Sequence, residues 1–171
     1  AGMRYAVFTA KHHEGFCMWD SAYTDYKCTN TPAQRDLVRE YVDAFRAEGL
    51  RVGFYYSLID WHHPDFPIDM LHPRRDDEDA LKQNEGRDMR RYAQYMRDQV
   101  TELLTNYGKI DILWFDFSYS DRKGEGDRAW MRGKGAKDWE AEALIALARR
   151  LQPGVIIDNR TELDQDIWTP E

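Results

Sequence analysis

Two chemical groups stand out in the sequence. The first is Asp116, which closes the apolar run Ile110-Asp111-Ile112-Leu113-Trp114-Phe115-Asp116. A carboxylate delivered at the end of a buried strand can act as a nucleophile or base, or can cap the turn that follows. The second is a pair of histidine doublets, His12-His13 and His62-His63, with Asp60 and Asp65 near the later one. Converging imidazoles suit zinc, but neither doublet has the HxH or HExxH spacing that turns two rings onto one ion. The competing use is polyol recognition, in which His and Arg supply hydrogen bonds and Trp and Tyr supply flat apolar faces. Trp19, Trp61, Trp114 and Tyr55 are placed for that use, or for ordinary packing.

Four short β-prone runs position these groups. They cover residues 5–9, 51–56, 110–116 and 155–157, and amphipathic helical periods at 35–48, 86–106 and 138–151 separate them. The order βαβαβαβ predicts an α/β fold with right-handed crossovers onto a parallel sheet. The turn after the first run, Lys11-His12-His13-Glu14-Gly15-Phe16, has no glycine pattern to cradle a phosphate, which argues against a dinucleotide fold. In a (β/α)8 barrel, active-site groups gather where strands end. Here the strand exits are Lys11-His12-His13, Tyr55-Tyr56-Ser57, Asp116 and Asp158-Asn159-Arg160. A full barrel takes about 250 residues, so residues 1–171 are read as one partial catalytic domain. That domain is the middle portion of a TIM barrel, with four parallel strands and three helices.

Composition narrows the partners. A formal net charge of −7 and short basic clusters interleaved with acids oppose a nucleic-acid footprint. No apolar run nears the 18 or so residues of a bilayer span. The charge run Arg74-Arg75-Asp76-Asp77-Glu78-Asp79 reads as a solvated face, and the two cysteines, Cys17 and Cys28, read as free thiols.

Ala10-Lys11-His12-His13-Glu14-Gly15-Phe16, Trp19-Asp20-Ser21, Tyr55-Tyr56-Ser57-Leu58-Ile59-Asp60-Trp61, Ile112-Leu113-Trp114-Phe115-Asp116 and Thr169-Pro170-Glu171 together resemble the α-L-fucosidases of glycoside hydrolase family 29. The resemblance runs through the whole chain. It implies a (β/α)8 barrel that removes terminal α-L-fucose with retention, from a fucosylated oligosaccharide or glycoconjugate, without metal or other cofactor. By motif, Asp116 is then the nucleophile and Glu171 the candidate acid/base. His12, His13, Tyr55, Trp61, Trp114 and Arg160 are the candidate fucose-binding residues. The resemblance also suggests a secreted, periplasmic or lysosomal setting, and it places further barrel strands before and after this segment, which alone is expected to be inactive. A non-catalytic carbohydrate-binding barrel and a metal-dependent barrel hydrolase are the alternatives.

Overall fold

The computed structural model describes residues 2–169. Four strands, β1 (Tyr5–Lys11), β2 (Arg51–Ser57), β3 (Ile112–Asp116) and β4 (Ile156–Ile157), form one parallel sheet in the order β1-β2-β3-β4. Each strand pairs with its successor in the chain, so the sheet winds in one direction. A doubly wound sheet would reverse its order at a switch point, and this one does not. The expected sector of barrel wall is therefore observed.

Three long helices cover the crossovers: α1 (Leu37–Ala47), α3 (Met89–Thr105) and α5 (Ala141–Leu151). Asp36 and Asp88 fix where the first two begin, because their carboxylates accept the backbone N–H of Arg39 and Arg90, each at 2.8 Å. The expectation of three helices needs correction, since two short ones are also present. Helix α2 (Glu78–Lys82) starts inside the exposed charge run, capped by Asp77. Helix α4 (Ala136–Trp139) is split from α5 by Glu140, whose left-handed backbone (φ 49°) breaks the expected continuous helix 138–151. Burial of Trp139 between Phe66 and Tyr119, with its indole N–H donating to Ser118 Oγ at 3.0 Å, overrides the local helical preference.

Alternation along the strands separates two faces. Val52, Phe54 and Tyr56 of β2, with Leu113 and Phe115 of β3, are fully buried against α1 and α3 side chains such as Val38, Val42, Met96, Val100 and Leu103. Each such burial stabilises by about 1.5–3 kcal/mol. The opposite face carries Gly53, Tyr55 and Ser57, in register with Ile112, Trp114 and Asp116. A Cβ on Gly53 would lie 2.7 Å from Ile112 Cβ and 3.2 Å from Val7 Cγ2, so only glycine admits the close approach of the three strands.

Strand β1 departs from regular pairing. Thr9 pairs with Tyr55 and Lys11 with Tyr56, leaving Ala10 as an extra residue in a bulge. The bulge shifts the alternation by one, so Lys11 joins Tyr56 on the helix-covered face. The histidine doublet is thereby delivered beside Tyr55 and Ser57.

Candidate active site

Asp116 ends β3 on the open face of the sheet. Its Oδ2 accepts the Tyr55 hydroxyl at 2.7 Å, so the side chain engages its neighbour across the sheet and does not cap a helix. Burial and the adjoining carboxylate push the Tyr55 phenol well above its usual range, and it remains a donor. The Asp116 peptide is held as well, because its carbonyl accepts the Leu58 N–H.

His13 stands next to this pair. Its Nδ1 lies 2.6 Å from Ser57 Oγ, and the single Ser57 hydroxyl proton is directed to Ile59 O at 2.7 Å. Ser57 must therefore accept from His13, which assigns the proton to Nδ1 and leaves Nε2 as an acceptor. Burial, followed by the adjacent His12, lowers the His13 pKa to about 4, against smaller opposing effects of Asp116 and Glu14. A neutral ring at neutral pH fits that tautomer. His12 stacks on His13 at 4.1 Å and on Tyr55 at 5.8 Å, with Nδ1 3.2 Å from Glu14 Oε2.

Aromatic rings pack around His13. Trp61 meets the edge of His13 at 5.4 Å, and Phe117 meets it at 5.7 Å. The Trp61 backbone N–H donates to His13 O at 2.8 Å, while its indole N–H is buried without a partner among the described residues. Trp114 lies directly across from Tyr55 on the same face. Trp19 is not part of this group. It is fully buried, and its indole N–H donates to Glu102 at 2.9 Å in the core.

Arg160 follows β4. Its Nε donates to Thr169 Oγ1 at 2.8 Å, and Thr169 is anchored through its N–H to Asn159 Oδ1 at 2.9 Å. Residues 158 and 167 form a parallel bridge that lays the approach to Thr169 alongside β4. Glu171 lies outside the described residues.

The loops bearing these groups share one anchor that the sequence did not reveal. Lys11 Nζ, fully buried, lies 3.1 Å from Asp60 Oδ2 and 3.0 Å from the Tyr56 hydroxyl oxygen. Burial is the largest influence and opposes the Lys11 charge, but Asp60, Tyr95 and Cys17 together outweigh it and its pKa stays above the ordinary value. Asp60 Oδ1 in turn accepts the N–H groups of His62 and His63, both at 3.0 Å. Gly15 packs so closely that a Cβ there would sit 2.2 Å from Asp60 Oδ1. The pair thus joins the loop of His12 and His13 to the loop of Trp61.

The second doublet is used in packing. His62 stacks on Tyr26 at 4.2 Å, and His63 rests on Tyr95 at 4.2 Å and Tyr92 at 5.3 Å. Among the described residues no group of three or more His, Cys, Asp or Glu side chains is arranged to hold a metal ion. Cys17 and Cys28 are free and buried, and burial pushes the Cys17 thiol up to about 12.

A sector of (β/α)8 barrel with a carboxylate, imidazoles and aromatic rings converging at the C-terminal ends of its strands has the architecture of a barrel enzyme's active face. The chain belongs to the alpha-L-fucosidase family, whose sequence model matches residues 1–168. It is 34% identical over 159 residues to putative alpha-L-fucosidase 1 of Oryza sativa subsp. japonica, covering 91% of this chain and 25% of that protein. With alpha-L-fucosidase isoenzyme 1 from Paenibacillus thiaminolyticus it shares 58% identity and a TM-score of 0.82, over 94% of this chain and 35% of the other. A GH29 alpha-L-fucosidase from Bacteroides thetaiotaomicron, solved as a trapped covalent intermediate with 2-fluoro-fucosyl fluoride, is 34% identical with a TM-score of 0.68. That match covers 95% of this chain and 32% of the other. The chain spans about a quarter of the length of the rice relative and about a third of these two solved structures.

Proposed function

We propose that this chain carries the nucleophile side of a retaining α-L-fucosidase active site, which releases terminal α-L-fucose from fucosylated oligosaccharides or glycoconjugates through a covalent glycosyl–Asp116 intermediate. The observation that carries the reading is the Tyr55–Asp116 contact at 2.7 Å on the open face of the sheet. A donor on Oδ2 orients the carboxylate and stabilises its negative charge before attack. The trapped intermediate of the Bacteroides relative is consistent with this chemistry.

In the first step an Asp116 oxygen bonds to the anomeric carbon, the bond to the leaving oxygen breaks, and an acid donates a proton to that oxygen. In the second step water, deprotonated by the same residue, attacks the anomeric carbon and frees Asp116. Glu171 is the proposed acid/base, two residues beyond the Thr169 that is tied to Arg160 and Asn159. Retention requires the two carboxyls to stand about 5–5.5 Å apart. His13 Nε2 is suited to accept a sugar hydroxyl proton. His12, Tyr55 and Arg160 supply further polar contacts, and Trp61 and Trp114 give apolar surface for the ring and its methyl group.

The test is Asp116→Gly in the full-length protein, assayed with an aryl α-L-fucoside, together with mass spectrometry of the parent after 2-fluoro-fucosyl fluoride. Loss of turnover on the order of 10⁴-fold or more and a fluorofucosyl adduct on the peptide containing Asp116 are expected. Near-normal turnover by the variant, or an adduct on another residue, would overturn the assignment.

A further inference from the structure

We propose that Asp158 is a positioning residue for Asp116, its carboxyl completing the β3–β4 ladder where backbone pairing stops; this role rests on the reading of Asp116 as nucleophile. Backbone pairing between β3 and β4 covers Ile112 with Ile156 and Leu113 with Ile157, and goes no further. Strand β3 runs on for three residues to Asp116, paired through that stretch with β2 alone. The Phe115 N–H on the β4 side would then lack an acceptor, and an unpaired buried amide costs about 1–3 kcal/mol. Asp158 Oδ1 takes that place, 3.0 Å from Phe115 N. On the β2 side, the next carbonyl, that of Asp116 itself, accepts from Leu58 N. The main chain on either side of the nucleophile is thus held, by a side-chain acceptor toward β4 before it and a backbone donor toward β2 after it.

Asp158 is enclosed in this position, and burial favours its protonated form more than in an ordinary carboxyl. Its residue surface is 0% exposed, and its Oδ2 is buried without a hydrogen-bond partner among the described residues. The charged groups facing it are Asp116 from β3 and Arg160 from its own loop. Burial raises its pKa to about 7, reinforced by Asp116 and opposed by the Phe115 amide and Arg160. A carboxamide is a close substitute for this contact, because its oxygen accepts the same Phe115 amide proton from the same position.

Whether that acceptor oxygen is kept sets the experiment, carried out in the full-length protein with an aryl α-L-fucoside. Asp158→Asn should keep kcat and KM within about threefold of the parent, a change of under 1 kcal/mol. Asp158→Ala should lower kcat by about 10- to 100-fold, the loss associated with displacing a reacting group by about 1 Å, while KM stays within about twofold. Labelling of Asp116 by 2-fluoro-fucosyl fluoride should slow in proportion. If Asp158→Ala does not fold, Asp158→Glu takes its place, because the same carboxyl displaced by one methylene should show the same fall in kcat. An Asn variant as damaged as the Ala or Glu variant, or an Ala or Glu variant with unchanged kcat, overturns the role. A parent protein with no turnover and no adduct on Asp116 refutes the nucleophile assignment instead, so the two failures are distinguishable.

Discussion

Replacing Lys11 with methionine should destabilise the protein by about 3–5 kcal/mol, the usual cost of leaving one member of a buried ion pair without the other. Methionine preserves most of the apolar stem, so the loss is that of the ammonium group and its contacts. Those are Asp60 Oδ2 at 3.1 Å, the Tyr56 hydroxyl at 3.0 Å and the rings of Tyr56 and Tyr95 at 4.3 and 5.2 Å. Asp60 is 1% exposed and cannot turn to water for compensation. Adding Asp60→Asn should recover about 2 kcal/mol or more, because the amide oxygen can still accept from His62 and His63 while the uncompensated charge disappears. Urea unfolding of the parent, both single variants and the double variant, followed by tryptophan fluorescence, closes the thermodynamic cycle. A single Lys11→Met cost below about 1 kcal/mol, or two single effects that simply add, would refute the view that this pair anchors both loops.

Tyr55→Phe should lower kcat/KM by about 10- to 100-fold, the equivalent of losing a 1.5–3 kcal/mol hydrogen bond to a charged group; a variant within twofold of the parent would contradict that. His13 has a folded pKa near 4 against an ordinary value of 6.5, so the unfolded chain binds a proton that the native ring refuses between those values. Native stability should therefore fall as pH drops from about 6.5 to 4, and His13→Gln should flatten that part of the profile in urea titrations. Cys17, with its thiol pushed up to about 12, should resist iodoacetamide at pH 8 in the native protein and react once urea unfolds it.

The strands were legible because apolar β-prone runs bounded by turns are a local signal, and the three long helices because their apolar faces repeat at the helical period. Asp116 was legible for a related reason, since an acid closing an apolar strand breaks the composition around it. The groups that support it were not. Nothing near Lys11 announces that it turns away from His13, because strict alternation from Thr9 would place Lys11 on the open face. Its burial depends on Tyr56 and Asp60, residues 45 and 49 positions away. Asp158 was visible as a strand-exit residue, but its contact with Phe115 depends on β4 pairing through only two residues, a length that Val155-Ile156-Ile157 does not encode by itself. Glu140 likewise looks like an ordinary helix former until the burial of Trp139 is known.

The extra residue at Ala10 makes pairing register itself a determinant of which face Lys11 occupies. If Ala10 paired with Tyr56 instead of bulging, Lys11 would move one place along β2 to the opposite face of the sheet, its ammonium carried away from Asp60 and the delivery of both imidazoles disturbed. The sequence would be unchanged, yet Lys11 and the residues after it would face the wrong side of the wall. A randomised library over residues 11–13 at fixed length explores which chemical groups each face of the wall accepts. One that also permits a single inserted residue between Thr9 and Lys11 explores which side of the wall they occupy, and most members of that second set should be lost at folding.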